Sequence, residues 1–208
     1  MITIAVENPR VKAVLVNNIV EGFLSQGDVT YFDYDLQFSS FLQNAPEPLY
    51  SEWLSKGLLV VQPNEDPLNL VVTFSSLEKI RKGGAYILDS INSLQTLLSP
   101  NSSLQSAKSA NYRSSVLLSV LQLAARSFEK SFIVFDLTKL RPRIQQDQSV
   151  SWEKELVGGR MIRYKSDAIF CASEMKDPAW ERSNPGVRRV QLQDSASSSN
   201  AETYWVDL

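Results

Sequence analysis

The chain has 208 residues, 43% hydrophobic and 21% charged, with a net charge of −2, a composition that suits one globular domain with a real core. It holds no histidine and a single cysteine, Cys171. These counts rule out an internal disulfide and Ser-His-Asp or Cys-His catalysis, and they argue against a zinc site. No apolar run reaches the length of a membrane span and no basic-then-apolar leader opens the chain, so the expected place is the cytoplasm, or the nucleus in a eukaryote.

In chain order, a strand-like run Ile2-Thr3-Ile4-Ala5-Val6 leads through Glu7-Asn8-Pro9-Arg10 into a helix over 11–25, with Val11, Val14, Leu15, Ile19, Val20 and Phe23 at helical spacing. A phosphate-binding loop would sit at such a strand–helix junction. Yet no glycine precedes Gly22, and G-x-x-x-x-G-K-[ST] is absent. Gly27-Asp28 closes this unit. Val29 to Phe32 then reads as a buried strand ending at Asp33-Tyr34-Asp35, and Leu36 to Leu42 as a short helix closed by Asn44 to Pro48. Leu58 to Val61 is a third strand, while Leu68 to Ile80 fits strand or helix equally.

Ala85 to Leu88 is an apolar strand closing on Asp89-Ser90, with a helix following through Leu98. The Ser- and Asn-rich stretch 99–112 reads as a loop, Tyr112 to Phe128 as a strong helix, and Phe132 to Asp136 as another buried strand. A long polar loop comes next. Met161 to Cys171, Val187 to Leu192 and Thr203 to Val206 read as three closing strands, the last two joined by a mobile Ser-rich hairpin loop over 194–201. Apolar strands alternating with helices predict a single α/β domain over 1–208, with a mostly parallel sheet covered on both faces and antiparallel strands at the C-terminal end.

In such a sheet, functional residues gather at the carboxyl ends of the strands. Asp33 and Asp35, Asp89 and Asp136 all lie at such ends and are expected to converge in one crevice, although any one of them could be a helix cap or turn former. Charge is uneven along the chain: residues 1–100 carry 6 Lys/Arg against 11 Asp/Glu, and residues 101–208 carry 15 against 12. Trp152 reads as an anchor for its loop, or as a platform for a base. Trp53, Trp180 and Trp205 read as core or interface residues, Cys171 as a small buried apolar group, and Lys79, Arg81 and Lys82 as a soluble turn.

The order of these segments resembles the core ATPase domain of RecA/RadA/Rad51-type recombinases along essentially the whole chain. Tyr86 to Ser90 is similar to that family's Walker B strand, and Tyr31 to Asp35 to the strand whose last acid, usually Glu, orients the attacking water. Phe132 to Asp136 is similar to the strand before the second DNA-binding loop. Gly158-Gly159-Arg160 with Ser166 to Phe170 resembles the glycine pair and strand after that loop, and Val187 to Val190 with Tyr204 to Val206 resembles the closing strands. The resemblance implies a RecA-like three-layer fold. It also implies that Asp35, Asp89 and Ser90 are vestiges of a nucleotide site.

The departures are as informative. Where the family has Gly-Lys-[ST], Val11-Lys12-Ala13 keeps only the lysine within the degenerate loop 7–13. Pro9 has no N–H, Arg10 and Val11 resist positive φ, and Ala13 has no hydroxyl for Mg²⁺. Lys12 is a possible anion contact, but its first-turn position predicts a solvated side chain. The expectation is therefore no ATP or Mg²⁺ cofactor and no enzymatic turnover.

By resemblance, the loops over 99–113 and 138–160 are candidate nucleic-acid contacts, through Lys108 and Arg113 and through Lys139, Arg141, Arg143, Arg160 and Arg163. The alternative is that the loops are solvated, their cations paired with Asp147, Glu153 and Glu155. The function so implied is a non-catalytic accessory protein of DNA recombination or repair. It would bind single-stranded or duplex DNA, RNA less readily, and a RecA-family protein or a second copy of itself. A second reading is a structural subunit of a RecA-like ring, similar to the Elongator subunits that also lack P-loops and whose ligand is tRNA. A third is a metal-dependent enzyme using Asp35, Asp89 and Asp136. The first strand starts almost at Met1, so the helical domain and docking Phe with which RadA-type proteins polymerise are not expected, and a dimer or heteromeric cap is.

Overall fold

The computed structural model describes residues 1–45, 47–63, 82–99, 104–144, 149–156, 158–174, 182–183, 189–194 and 203–207. The ambiguous segment 68–80 and the Ser-rich loop lie outside them, as do Arg81, Asp147 and Trp180. Strands β1 (Ile2–Val6), β2 (Val29–Asp33), β3 (Leu58–Val61), β4 (Ala85–Asp89), β5 (Ser131–Ile144), β6 (Val150–Leu156), β7 (Ala168–Glu174), β8 (Arg189–Asp194) and β9 (Thr203–Asp207) form the sheet. Its order is β3-β2-β4-β5-β1-β7-β8-β9, with β6 paired to β5 off this path. The strands from β3 through β7 run parallel, and β8 and β9 add antiparallel at the β7 edge, as the β-rich last third of the sequence predicts.

Helices α1 (Pro9–Leu24), α2 (Gln37–Asn44) and α3 (Glu47–Ser55) belong to one layer, and α4 (Ile91–Leu98), α5 (Leu104–Ser127) and α6 (Gly159–Lys165) to the other. The side chains of β2 and β4 are buried throughout, because both faces of the central strands are covered. Val11, Leu15, Val16 and Val20 of α1 meet Tyr31, Phe38, Trp53 and Phe135 in one core. Leu94 and Leu98 of α4, Leu117, Leu118 and Leu121 of α5 and Ile162 of α6 meet Phe32, Tyr86, Leu88 and Val134 in the other. Among the described residues, no helix is long and apolar enough to cross a membrane.

The structure corrects the sequence reading in four places. Residues 104–112 are not loop but the first turns of α5. Only Ala110 of that stretch is buried, so no apolar period marks it. The loop expected over 138–160 is an antiparallel ribbon instead, in which Thr138–Ile144 of β5 pairs with Val150–Leu156 of β6 before α6 begins. Met161 to Lys165 is helix and not strand, the strand β7 starting only at Ala168. Finally, the stretch read as a Pro-containing closure holds helix α3, whose Pro48 falls in the first turn, where a missing N–H costs nothing.

Two glycines are demanded by close approach. At Gly84, φ is +78° and a Cβ would collide with the Asp28 carbonyl oxygen. At Gly158 a Cβ would run into Ile162 Cγ1 and lie 3.1 Å from the Asp136 carboxylate, to which its own N–H donates at 3.0 Å.

Candidate functional site: a filled crevice and a basic ribbon

The connection from β1 to α1 is only Glu7 and Asn8. Asn8 caps the helix, its side-chain oxygen accepting from Arg10 N at 2.9 Å, and Pro9 opens the first turn. The phosphate-loop position is thus a tight, self-satisfied helix start, shorter than the four residues read as loop.

Lys12 is not solvated. Its side chain is 3% exposed, and its ammonium donates to Asp89 Oδ1 at 2.9 Å and to Asp35 Oδ2. Tyr31 donates its hydroxyl to Asp89 Oδ2 at 2.5 Å. Asp35 Oδ1 and the Asp33 carboxylate accept N–H groups of the first turn of α2, from Gln37 at 3.1 Å and from Ser39 at 2.6 Å, so the positive end of that helix also faces this cluster. One ammonium, a phenol and a helix terminus together compensate three carboxylates whose oxygens lie within 4.8 Å of one another. The residual cavity bounded by Lys12, Ala13, Tyr31, Phe38 and Asp89 is about 20 Å³, room for roughly one water molecule.

Burial raises the Asp89 carboxyl to about 6; Lys12 and the Tyr31 hydroxyl pull the other way and Asp35 adds to the rise. For Lys12, burial lowers the pKa, but the charges of Asp89 and Asp35 prevail and it is raised. Burial likewise lifts Asp33 and carries the Tyr31 hydroxyl well above its ordinary value.

Asp136 does not join this cluster. Its carboxylate accepts from Gly158 N and Leu137 N and so ties the root of the ribbon to the start of α6. Burial raises it to about 6, opposed by those two N–H groups. The expected convergence therefore holds for Asp33, Asp35 and Asp89 and fails for Asp136. Ser90 takes the capping role, accepting from Ser93 N at the start of α4, and the Asp89–Ser90 peptide is cis.

Lys139, Arg141 and Arg143 lie on the β5 half of the ribbon, while Lys108 and Arg113 lie on α5 and Arg160 and Arg163 on α6. The candidate contacts thus sit on regular elements. Lys139, Arg143, Lys108, Arg113, Arg160 and Arg163 are all exposed. A cross-strand acid partly offsets the ribbon, Lys139 lying 4.0 Å from Glu155; Arg141 and Glu153 are register partners. Trp152, expected to anchor the segment, is 63% exposed. It pairs with Pro142 in a row with the equally open Ile144–Val150 pair. Trp53 is buried as expected, and Cys171 is half-buried against the core.

One buried cation escaped the sequence reading. Lys130 lies at the amino edge of the sheet, donating to the carbonyls of Asp28 at 2.8 Å and Gly83 at 2.6 Å. A lysine just before a strand carries no signal that distinguishes it from a solvated one.

No family model matches the sequence, and none of the curated proteins matches it either. Solved structures do. The flagellar accessory protein FlaH from Methanocaldococcus jannaschii aligns with a TM-score of 0.54 and 16% identity, over 98% of this chain and 83% of that one. The RadB recombinase aligns with a TM-score of 0.54 and 18% identity, over 98% and 85%. A third solved structure, an ATPase domain, aligns with a TM-score of 0.57 and 14% identity, over 100% and 80%. With these neighbours, a mostly parallel sheet between two helical layers and antiparallel strands at its end, the chain has a RecA-like fold.

Proposed function

We propose that this protein is a RecA-like accessory subunit of DNA recombination or repair, which works without a nucleotide and binds both nucleic acid and a protein partner. The observation that carries the reading is the placement of Lys12. A lysine at the start of the first helix is neutralised by Asp35 and Asp89, and the space left is about 20 Å³, against the several hundred Å³ of an ordinary ligand pocket. A phosphate chain would have to displace an internal ion pair and find inward-facing N–H groups in a segment already closed by Asn8 and Pro9. The same ammonium occupies the charge position that a divalent ion would need among the acids, which weighs against the metal-enzyme reading.

A cavity of about 440 Å³ opens elsewhere, beside Ser39, Tyr50, Val60 and Gln62, but the nucleic-acid half of the reading rests on the charged surface. The ribbon carries Lys139, Arg141 and Arg143 on the strand paired with that of an exposed tryptophan, and Arg160 and Arg163 lie beyond it on α6. Cations contacting phosphates give affinity that is independent of sequence and falls with salt. The test is a titration of labelled single-stranded and duplex DNA over a range of salt. The expected result is binding at low salt that Arg141→Ala with Arg143→Ala weakens, lowering the salt slope by roughly 0.7–0.9 per lost phosphate contact, with Mg²⁺-ATP changing nothing. No affinity at low salt would remove the nucleic-acid half, and calorimetric binding of Mg²⁺-ATP would remove the nucleotide-independent half.

A further inference from the structure

The outer side of α5 carries a ridge that, among the described residues, lies outside the apolar core. Lys108, Tyr112, Val116, Ser119, Leu123 and Arg126 recur every three or four residues and so line one side of the helix. Leu117, Leu118 and Leu121 face the core, whereas Tyr112 is 72%, Val116 38% and Leu123 66% exposed. Single exposed apolar residues are ordinary on a surface; here they are aligned, with a small serine among them and cations at both ends. The 24 residues of α5 hold Lys108, Arg113 and Arg126 and no acid. Lys165 of α6 adds a further cation, its ammonium donating to the Ser119 hydroxyl at 2.5 Å. Of the acids nearby among the described residues, Glu129 is paired with Lys82, and Asp167 pairs with the terminal amine of Met1 while also attracting Arg126.

We propose that this ridge docks an acidic amphipathic helix of a partner protein. Apolar side chains at 112, 116 and 123 with a small residue at 119 offer the i, i+4, i+7, i+11 row into which a second helix packs its own apolar stripe. Charge decides the occupant. A second copy of the chain would set Lys108 and Arg113 against the same cations or Arg126, a like-charge contact with no acid on either helix to relieve it. A nucleic-acid backbone would use the cations but leave Val116 and Leu123 unsatisfied. Three apolar side chains are too small a stripe for an anionic bilayer. A helix with Leu or Ile on one face flanked by Asp and Glu meets both requirements. The proposal deepens the partner half of the reading above and does not depend on the nucleic-acid half.

The test uses the full chain and two fluorescein-labelled designed helical peptides, each with a leucine stripe, one flanked by Glu and the other by Lys. Anisotropy is expected to report binding of the Glu peptide only, in the micromolar range, weakened about 10-fold or more by Leu123→Asp or Tyr112→Asp and by high salt. Lys108→Glu with Arg126→Glu is expected to reverse the preference toward the Lys peptide. Thermal melts of these surface variants should match the parent, and the affinity of Leu123→Asp for DNA should be unchanged, so failure here is separable from failure of the nucleic-acid reading. No binding of the Glu peptide, or equal binding to Leu123→Asp, overturns the proposal. So does a dimer in sedimentation that Leu123→Asp dissolves, or cosedimentation with phosphatidylserine vesicles that depends on Leu123.

Discussion

The two edges of the parallel sheet each hold a buried lysine, and the two are served in opposite ways. At the carboxyl edge Lys12 meets two carboxylates and its pKa is raised. At the amino edge Lys130 meets two backbone carbonyls, lies 5.6 Å from the centre of the Tyr86 ring, and burial lowers its pKa. Two carbonyl dipoles, helped by the charge of Asp28, fasten the turns before β2 and β4, a structural task. The carboxyl edge instead concentrates opposite charges in a crevice, where the chain answers its own acids with its own cation. A buried ion pair is a weak source of stability while intact and a large liability when one partner is removed. The edges should therefore respond very differently to the same change.

The largest effect is expected from Lys12→Met, which leaves the buried Asp89 and the half-buried Asp35 without their cation. Unfolding in urea should report a loss of about 3–5 kcal/mol, and adding Asp89→Asn should recover most of it. If the single variant were as stable as the parent, the crevice would not be an ion-paired unit. Lys130→Met, the matching change at the other edge, removes hydrogen bonds from two carbonyls and the attraction to a single partly buried carboxylate, Asp28. A loss of about 1–3 kcal/mol is expected there, with Asp28→Asn recovering less than Asp89→Asn does for Lys12→Met. Equal losses at both lysines would erase the distinction between the edges.

Much of this architecture is legible in the residues. The strands β1, β2, β4 and the first part of β5 are continuous apolar runs, and the acids at their ends mark the carboxyl edge of the sheet. The fate of Lys12 is not legible, because its partners lie 23 and 77 positions away and nothing local separates a first-turn lysine reaching inward from one reaching out. The ribbon escapes for a related reason. Lys139-Leu140-Arg141-Pro142-Arg143 alternates charge with apolar groups at the period of a strand, but its three cations and its proline read as loop. Likewise, Asp136 reads as one more strand-end acid until Gly158, 22 residues on, is seen to claim it.

The smallest expected effect concerns pH, and it sharpens the comparison within the carboxyl edge itself. Asp89 and Asp136 are both raised by burial to about 6 from 3.8. A carboxyl whose folded pKa exceeds its unfolded one takes up its proton in the folded chain first. Its contribution is thus complete below the unfolded value and lost as pH rises through 6. Stability should accordingly increase on acidification from about pH 7 to pH 4, by roughly 1 kcal/mol or less per pH unit for each group. Asp167, held low by its hydrogen bond to the terminal amine, acts in the opposite sense and only below that window. Melting curves of Asp89→Asn and Asp136→Asn across this range separate the two sites, since each should remove its own share of the slope. A share left by Asp136→Asn and abolished by Asp89→Asn would locate the titration in the Lys12 crevice, where protonation trades an ion pair for a neutral acid. A parent protein whose stability falls steadily from pH 7 to pH 4 would contradict the burial of both carboxyls.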